Sequence, residues 1–117
     1  MTATNKDILE RANAAVARGD YEEFLSFCTD DVQWVFVGDR TLNGKAAVRA
    51  YIEATYKQPP RFDVERTIAE GDSLAALGHI TLKDDKGTDV RYAYCDMWRF
   101  REGRLAKLQA YVIAEKE

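Results

Sequence analysis

Asp96 sets the chemical question. It lies in YAYCDMWRFREG, residues 92–103, a stretch that alternates as a β-strand does. Side chains two apart on a strand share a face. Asp96 therefore sits with Tyr92, Tyr94, Trp98 and Phe100, while Arg91, Ala93, Cys95, Met97, Arg99 and Arg101 point the other way. The aromatic side is the expected core side. A carboxylate there is costly unless it is paired or protonated. A carboxyl group in an apolar recess has a raised pKa and can give or take a proton near neutrality. Two readings stay open. Asp96 faces a pocket and handles protons there, or it is buried and satisfied by a tyrosine hydroxyl, a backbone N–H or Arg66.

His79, the sole histidine, is the second candidate for acid–base work. A four-residue turn DDKG after Lys83 sets His79 opposite Tyr92, on the face of Asp96. The two are then about 13 Å apart at strand rise, too far for a hydrogen bond but close enough to share a ligand. A register shift of one residue would carry His79 to the outer face, and a structural or interface role is the alternative. Arg66 alternates with Val64 and Ile68. Facing inward, it would pair with Asp96 or a substrate carboxylate; facing outward, its stem packs and its head is solvated. Trp34, Phe36, Tyr51, Leu77, Tyr94 and Trp98 are the expected ligand-binding walls, or plain core. As a set they suit a flat or hydrophobic small molecule.

The composition narrows the field. A chain of 117 residues, 46% of them apolar, suits one domain, residues 1–117, with a real core. Its net charge of −3 comes from interspersed acids and bases, which is no nucleic-acid surface. No apolar run is long enough for a membrane span, and the polar MTATNKDILE lacks the apolar segment of a secretory signal. A cytoplasmic location is therefore expected, with Cys28 and Cys95 as reduced core thiols. One histidine and no Cys-x-x-Cys leave no expected metal site. No glycine-rich phosphate loop or nucleophile elbow is present, so no cofactor is expected.

The elements that must position these groups are readable. Thr4 and Asp7 form a capping-box pattern ahead of Ile8, Leu9, Ala12, Ala15 and Val16 at helical spacing, with Gly19 as the stop. Asp20 opens a shorter helix. Residues 32–37 read as a strand. Asn43 and Gly44 open a third helix with Val48, Tyr51, Ile52 and Tyr56 as its stripe, ended by Pro59 and Pro60. Strands follow at residues 62–69, 74–83, 90–101 and 105–113. Helices set apart from an antiparallel sheet give an α+β domain.

That order carries three telling phrases: ARGDYEEFLSFCTDDVQW, NGKAAVRAYI and DMWRFREGRLAKLQAYVI. From about residue 6 to residue 114 the chain resembles the nuclear-transport-factor-2-like superfamily, and within it the SnoaL-like and ketosteroid-isomerase-like proteins. The resemblance implies a cystatin-like cone, in which a strongly curved antiparallel sheet wraps N-terminal helices and leaves a pocket at its open end. It also implies a homodimer through the outer sheet face, here offering Ala93, Cys95 and Met97. Asp96 matches the pocket acid that isomerase-like members hold protonated against a substrate oxyanion. Phe36 stands where their general base belongs, and Ala12 where their oxyanion-hole tyrosine belongs. Neither side chain can do that work, so steroid isomerisation by that route is not expected. Asp39 is a turn residue or a mouth residue. Ala110 stands where enzymes of the limonene-epoxide type carry a second acid. SnoaL-like cyclases use a pocket aspartate with a histidine nearby, which Asp96 and His79 resemble. The expected function is a small-molecule pocket protein: a cofactor-independent isomerase, cyclase or hydrolase for a hydrophobic carbonyl or epoxide compound. The alternative is a non-catalytic ligand-binding or dimerisation module, and a third reading is a partner protein on the sheet.

Overall fold

A computed structural model of the chain describes residues 4–115. Helices α1 (Asn5–Ala17) and α2 (Tyr21–Ser26) come first, then strands β1 (Cys28–Phe36) and β2 (Arg40–Asn43), helix α3 (Lys45–Thr55), and strands β3 (Arg61–Glu70), β4 (Ser73–Lys83), β5 (Asp89–Arg101) and β6 (Arg104–Ala114). The six strands form one sheet in the order β2-β1-β6-β5-β4-β3. Only the β1–β6 pair is parallel; the rest are antiparallel. This is an α+β fold with a curved, mostly antiparallel sheet around its helices. No helix among the described residues is long and apolar enough to cross a membrane.

Local chemistry explains the helices. Asp7 N–H donates to the Thr4 hydroxyl, and the Asp7 carboxylate accepts from Thr4 N–H, so two orphan donors of α1 are satisfied together. Asp20 caps α2 through Glu23 N–H. Leu9, Ala12, Ala15 and Val16 turn one face of α1 into the core. Helix α3 starts at Gly44 without a side-chain cap. Asn43 does not open it; its side chain accepts from Gln33 across the β1–β2 pair.

The inner faces of β1, β4, β5 and β6 meet the helices. Trp34, Leu74, Tyr94, Trp98, Phe100, Leu105 and Leu108 are all buried there. Phe24 packs edge-on against Trp34 at a centroid separation of 5.8 Å, and Trp34 against Trp98 at 6.3 Å. Such edge-to-face pairs add about 1 kcal/mol each beyond their buried area. Cys28 is a free thiol in this core, and burial pushes its pKa up to about 12. Cys95, expected in the core as well, is a half-buried free thiol on the outer face instead.

Two irregularities change the sequence-based registers. Lys83 pairs with Asp89, not Thr88. Asp84 N–H donates to the Thr88 carbonyl, so the loop proper is Asp85-Lys86-Gly87. Gly87, at φ 78°, takes the left-handed position that closes such a three-residue hairpin loop. The Asp84 side chain accepts from Lys86 and Thr88 N–H groups and holds the loop. The second irregularity is a bulge in β3: Val64 pairs with Gly78 and Arg66 with Leu77, leaving Glu65 as the extra residue. An extra residue inverts the inside–outside phase beyond it and bends the strand. A side chain at Gly78 would overlap the Asp63 carbonyl oxygen and lie 3.0 Å from Val64 Cα, so only glycine fits beneath this bend.

Candidate active site

The register places Asp96 in a row of side chains running across the sheet. Phe36 pairs with Ala110, Ala110 with Asp96, and Asp96 with Ala76. On either side run bulkier rows, Trp34-Leu108-Trp98-Leu74 and Val112-Tyr94-Gly78. Directly opposed side chains in a sheet start only about 5 Å apart. With alanine on both flanks, little side-chain bulk stands beside the Asp96 carboxyl group. The result is a small cavity of about 70 Å³.

Its walls are apolar and come from every layer of the fold. Val16 and Phe24 reach it from the helices, Trp34 and Phe36 from β1, and Tyr56 from just beyond α3. Phe62 and Ile80 line the side nearest the β3 edge, and Tyr94, Trp98, Leu108 and Val112 line the sheet. Tyr51 stands behind this wall, its ring centroid 5.0 Å from that of Phe36 and 6.1 Å from that of Trp34. Burial pushes the Tyr94 hydroxyl up to about 12, with the nearby Asp96 adding to the effect. The Tyr56 hydroxyl is raised further, for the same first reason. Both tyrosines are therefore hydrogen-bond donors at any physiological pH.

Among the described residues, Asp96 is the one carboxyl group in the cavity wall. Desolvation alone pushes it up to about 7, since no neighbouring cation or hydrogen-bond donor pulls it back. The buried and half-buried side-chain hydrogen bonds among the described residues run from Tyr21 to the Tyr56 carbonyl and from Cys28 to the Phe24 carbonyl. Neither involves Asp96. Near neutrality the group is poised between donor and acceptor forms, as acid–base work requires.

The structure brings Trp34, Phe36, Tyr94, Asp96 and Trp98 together around this cavity and puts three other candidates elsewhere. His79 does not share the face of Asp96. With the three-residue hairpin loop it pairs with Ala93, on the outer side of the sheet. There its Nε2 lies 2.9 Å from Glu115 and its Nδ1 3.3 Å from Glu65. Arg66 and Leu77 are paired with each other on that same outer side, Arg66 because of the bulge at Glu65 and Leu77 because it neighbours Cys95. Both are exposed. Asn13 is a wall residue that the sequence reading missed. Its signal was its phase, four residues after Leu9 and three before Val16, on the edge of the buried stripe of α1.

The fold is a curved sheet around helices, and an apolar cavity with one buried acid lies against its inner face. Residues 9–108 match the SnoaL-like domain, and the chain belongs to that family. Solved structures agree on the fold. The epoxide hydrolase/cyclase-like enzyme SalBIII of pyran ring formation in salinomycin is 20% identical, with a TM-score of 0.85 over 92% of this chain and 89% of that one. A putative SnoaL-like polyketide cyclase from Shewanella putrefaciens CN-32 is 14% identical, with a TM-score of 0.83 over 96% and 81%. An NTF2-like protein of unknown function from Burkholderia pseudomallei K96243 is 19% identical, with a TM-score of 0.82 over 94% and 91%. No curated protein matches the sequence.

Proposed function

We propose that the protein binds a hydrophobic carbonyl or epoxide compound in this cavity and that Asp96 catalyses its isomerisation or cyclisation without a cofactor. The observation that carries the reading is a lone carboxyl group, raised to about 7, in a cavity kept open by Ala76 and Ala110. One carboxyl group is enough for a proton shuttle. As carboxylate it takes a proton from the carbon beside a carbonyl, leaving an enolate. As carboxylic acid it returns that proton to another carbon or to the oxygen, and ends as it began. Tyr94 and Tyr56, held protonated, are placed to donate to the oxygen that gathers charge. Hydrolysis by an activated water fits less well. The row positions beside Asp96 hold Ala110 and Ala76, with Phe36 beyond Ala110, and none of the three can activate water.

The outer sheet face supports a homodimer as the working form. Leu77, Met97, Tyr111, Ile68 and Ile113 are exposed there. Large exposed apolar patches mark interaction sites. The absence of a second acid or base beside Asp96 also supports a second reading, a binding module that holds its ligand unchanged.

A thermal-shift screen with hydrophobic ketones, lactones and epoxides tests both, run on wild type and Asp96→Asn in parallel. A ligand at about a hundred times its Kd adds roughly 2.7 kcal/mol, which is several degrees for a domain of this size. Hits that disappear in Asp96→Asn support a ligand held against the carboxyl group. Turnover of a hit supports the enzyme, and binding without turnover supports the module. A screen with no hits contradicts both.

A further inference from the structure

Asn13 is an awkward residue for its position. It follows Leu9 by four and precedes Val16 by three, so an apolar side chain would continue the buried stripe of α1. Asparagine is a poor residue for a helix interior because its amide competes with the backbone. Here the amide gains nothing in exchange from the protein. Neither of the buried or half-buried side-chain hydrogen bonds among the described residues reaches it. Yet Asn13 is half-buried and lines the same cavity as Asp96. In the same wall the buried indole N–H of Trp34 has no partner. A polar group enclosed without a partner is unfavourable, unless a guest supplies one.

The charge inventory of the cavity adds a second constraint. Among the described residues, its wall holds no lysine, arginine or histidine, and its one carboxyl group is Asp96. A ligand carboxylate or phosphate would be buried beside a carboxyl group with no counter-ion.

We propose that Asn13 is a ligand-recognition residue, and that the cavity rejects anions and selects compounds by an oxygen that accepts from the Asn13 amide while the apolar body lies against the aromatic walls. This rests on the reading of the cavity as a ligand site and narrows it. Asn13 sets which oxygen is held, and Asp96 is left free to move a proton. The lack of a cation makes the site blind to acids of the same shape.

Three probes of one shape test the inference by titration calorimetry: naphthalene, 2-acetylnaphthalene and 2-naphthoate. Wild type is expected to bind the ketone about tenfold tighter than naphthalene, the worth of one hydrogen bond, and to bind naphthoate more weakly than either. Asn13→Leu is expected to bind naphthalene at least as well as wild type and to lose the preference for the ketone, while Asn13→Ser keeps part of it. Retained naphthalene binding shows that the variant cavity is intact. An unchanged ketone preference in Asn13→Leu overturns the role of Asn13, even if Asp96→Asn abolishes ketone binding and so upholds the Asp96 reading. Naphthoate binding as tightly as the ketone overturns the selection against anions. Binding of none of the three overturns the ligand site itself, and this inference with it.

Discussion

At the scale of single residues, the Asp96 carboxyl group couples stability to pH. Its pKa is about 7 in the folded chain and about 3.9 in an unfolded one. Between those values the folded state holds a proton that the unfolded state has released, so stability falls as pH rises from about 4 to about 7. The penalty then persists at higher pH. Three units correspond to about 4 kcal/mol, less whatever the water at the cavity mouth relieves. Asp96→Asn is accordingly expected to be more stable than wild type at pH 8, by roughly 2 to 4 kcal/mol, and the gap should close towards pH 4. Urea titrations at several pH values measure it, and a variant less stable at pH 8 would show a carboxylate that the fold needs. In turnover of a true substrate, Asp96→Asn should cost about 10²- to 10⁴-fold in kcat, and the wild-type rate should change about a titration near pH 7. Ala110→Leu probes the space rather than the acid. It should abolish ligand binding while Asp96 remains, since the added carbons fill the row beside the carboxyl group. Asp96 itself was legible in the sequence because alternation assigned its face. Asn13 was not, because a polar residue on the rim of an amphipathic helix looks like any solvated one.

At the scale of elements, helices were the easiest to read and registers the hardest. The capping box at Thr4, the stripe of α1 and the stop at Gly19 are local chemistry, and local chemistry is written in adjacent residues. Strand β2 escaped because four mostly exposed residues carry no period. The side occupied by His79 turned on one residue in a hairpin loop, and the side occupied by Arg66 on one bulged residue in β3. Both are decided by pairing with another strand, which no single segment records. Gly78 ties that bulge to the cavity, with the Tyr94 hydroxyl 3.1 Å from where its Cβ would lie. Gly78→Ala should therefore destabilise the fold by about 2 kcal/mol or more, measured by urea unfolding. A neutral effect would mean that β3 shifts freely over β4.

At the scale of the molecule, the two faces of one sheet differ in what they present. The inner face encloses the cavity, and the outer face leaves Met97, Leu77 and Ile113 in solvent, Ile113 with 70% of its surface exposed. If two copies cover that face, sedimentation should show a dimer, and Met97→Arg should yield a monomer that keeps its ligand site. A wild-type monomer would leave the face to another protein. The resemblance of the three sequence phrases reached the fold and the family, because core packing constrains the whole chain. It did not reach the ligand, because the cavity is set by a few small residues and by register. The central claim is that Asp96 is a largely desolvated acid in an open cavity, and carboxyl ¹³C NMR titration tests it most directly. The account predicts one aspartate titrating near pH 7, absent from Asp96→Asn and moved by a bound ketone. An Asp96 signal titrating near pH 4, like those of the surface aspartates, would contradict it.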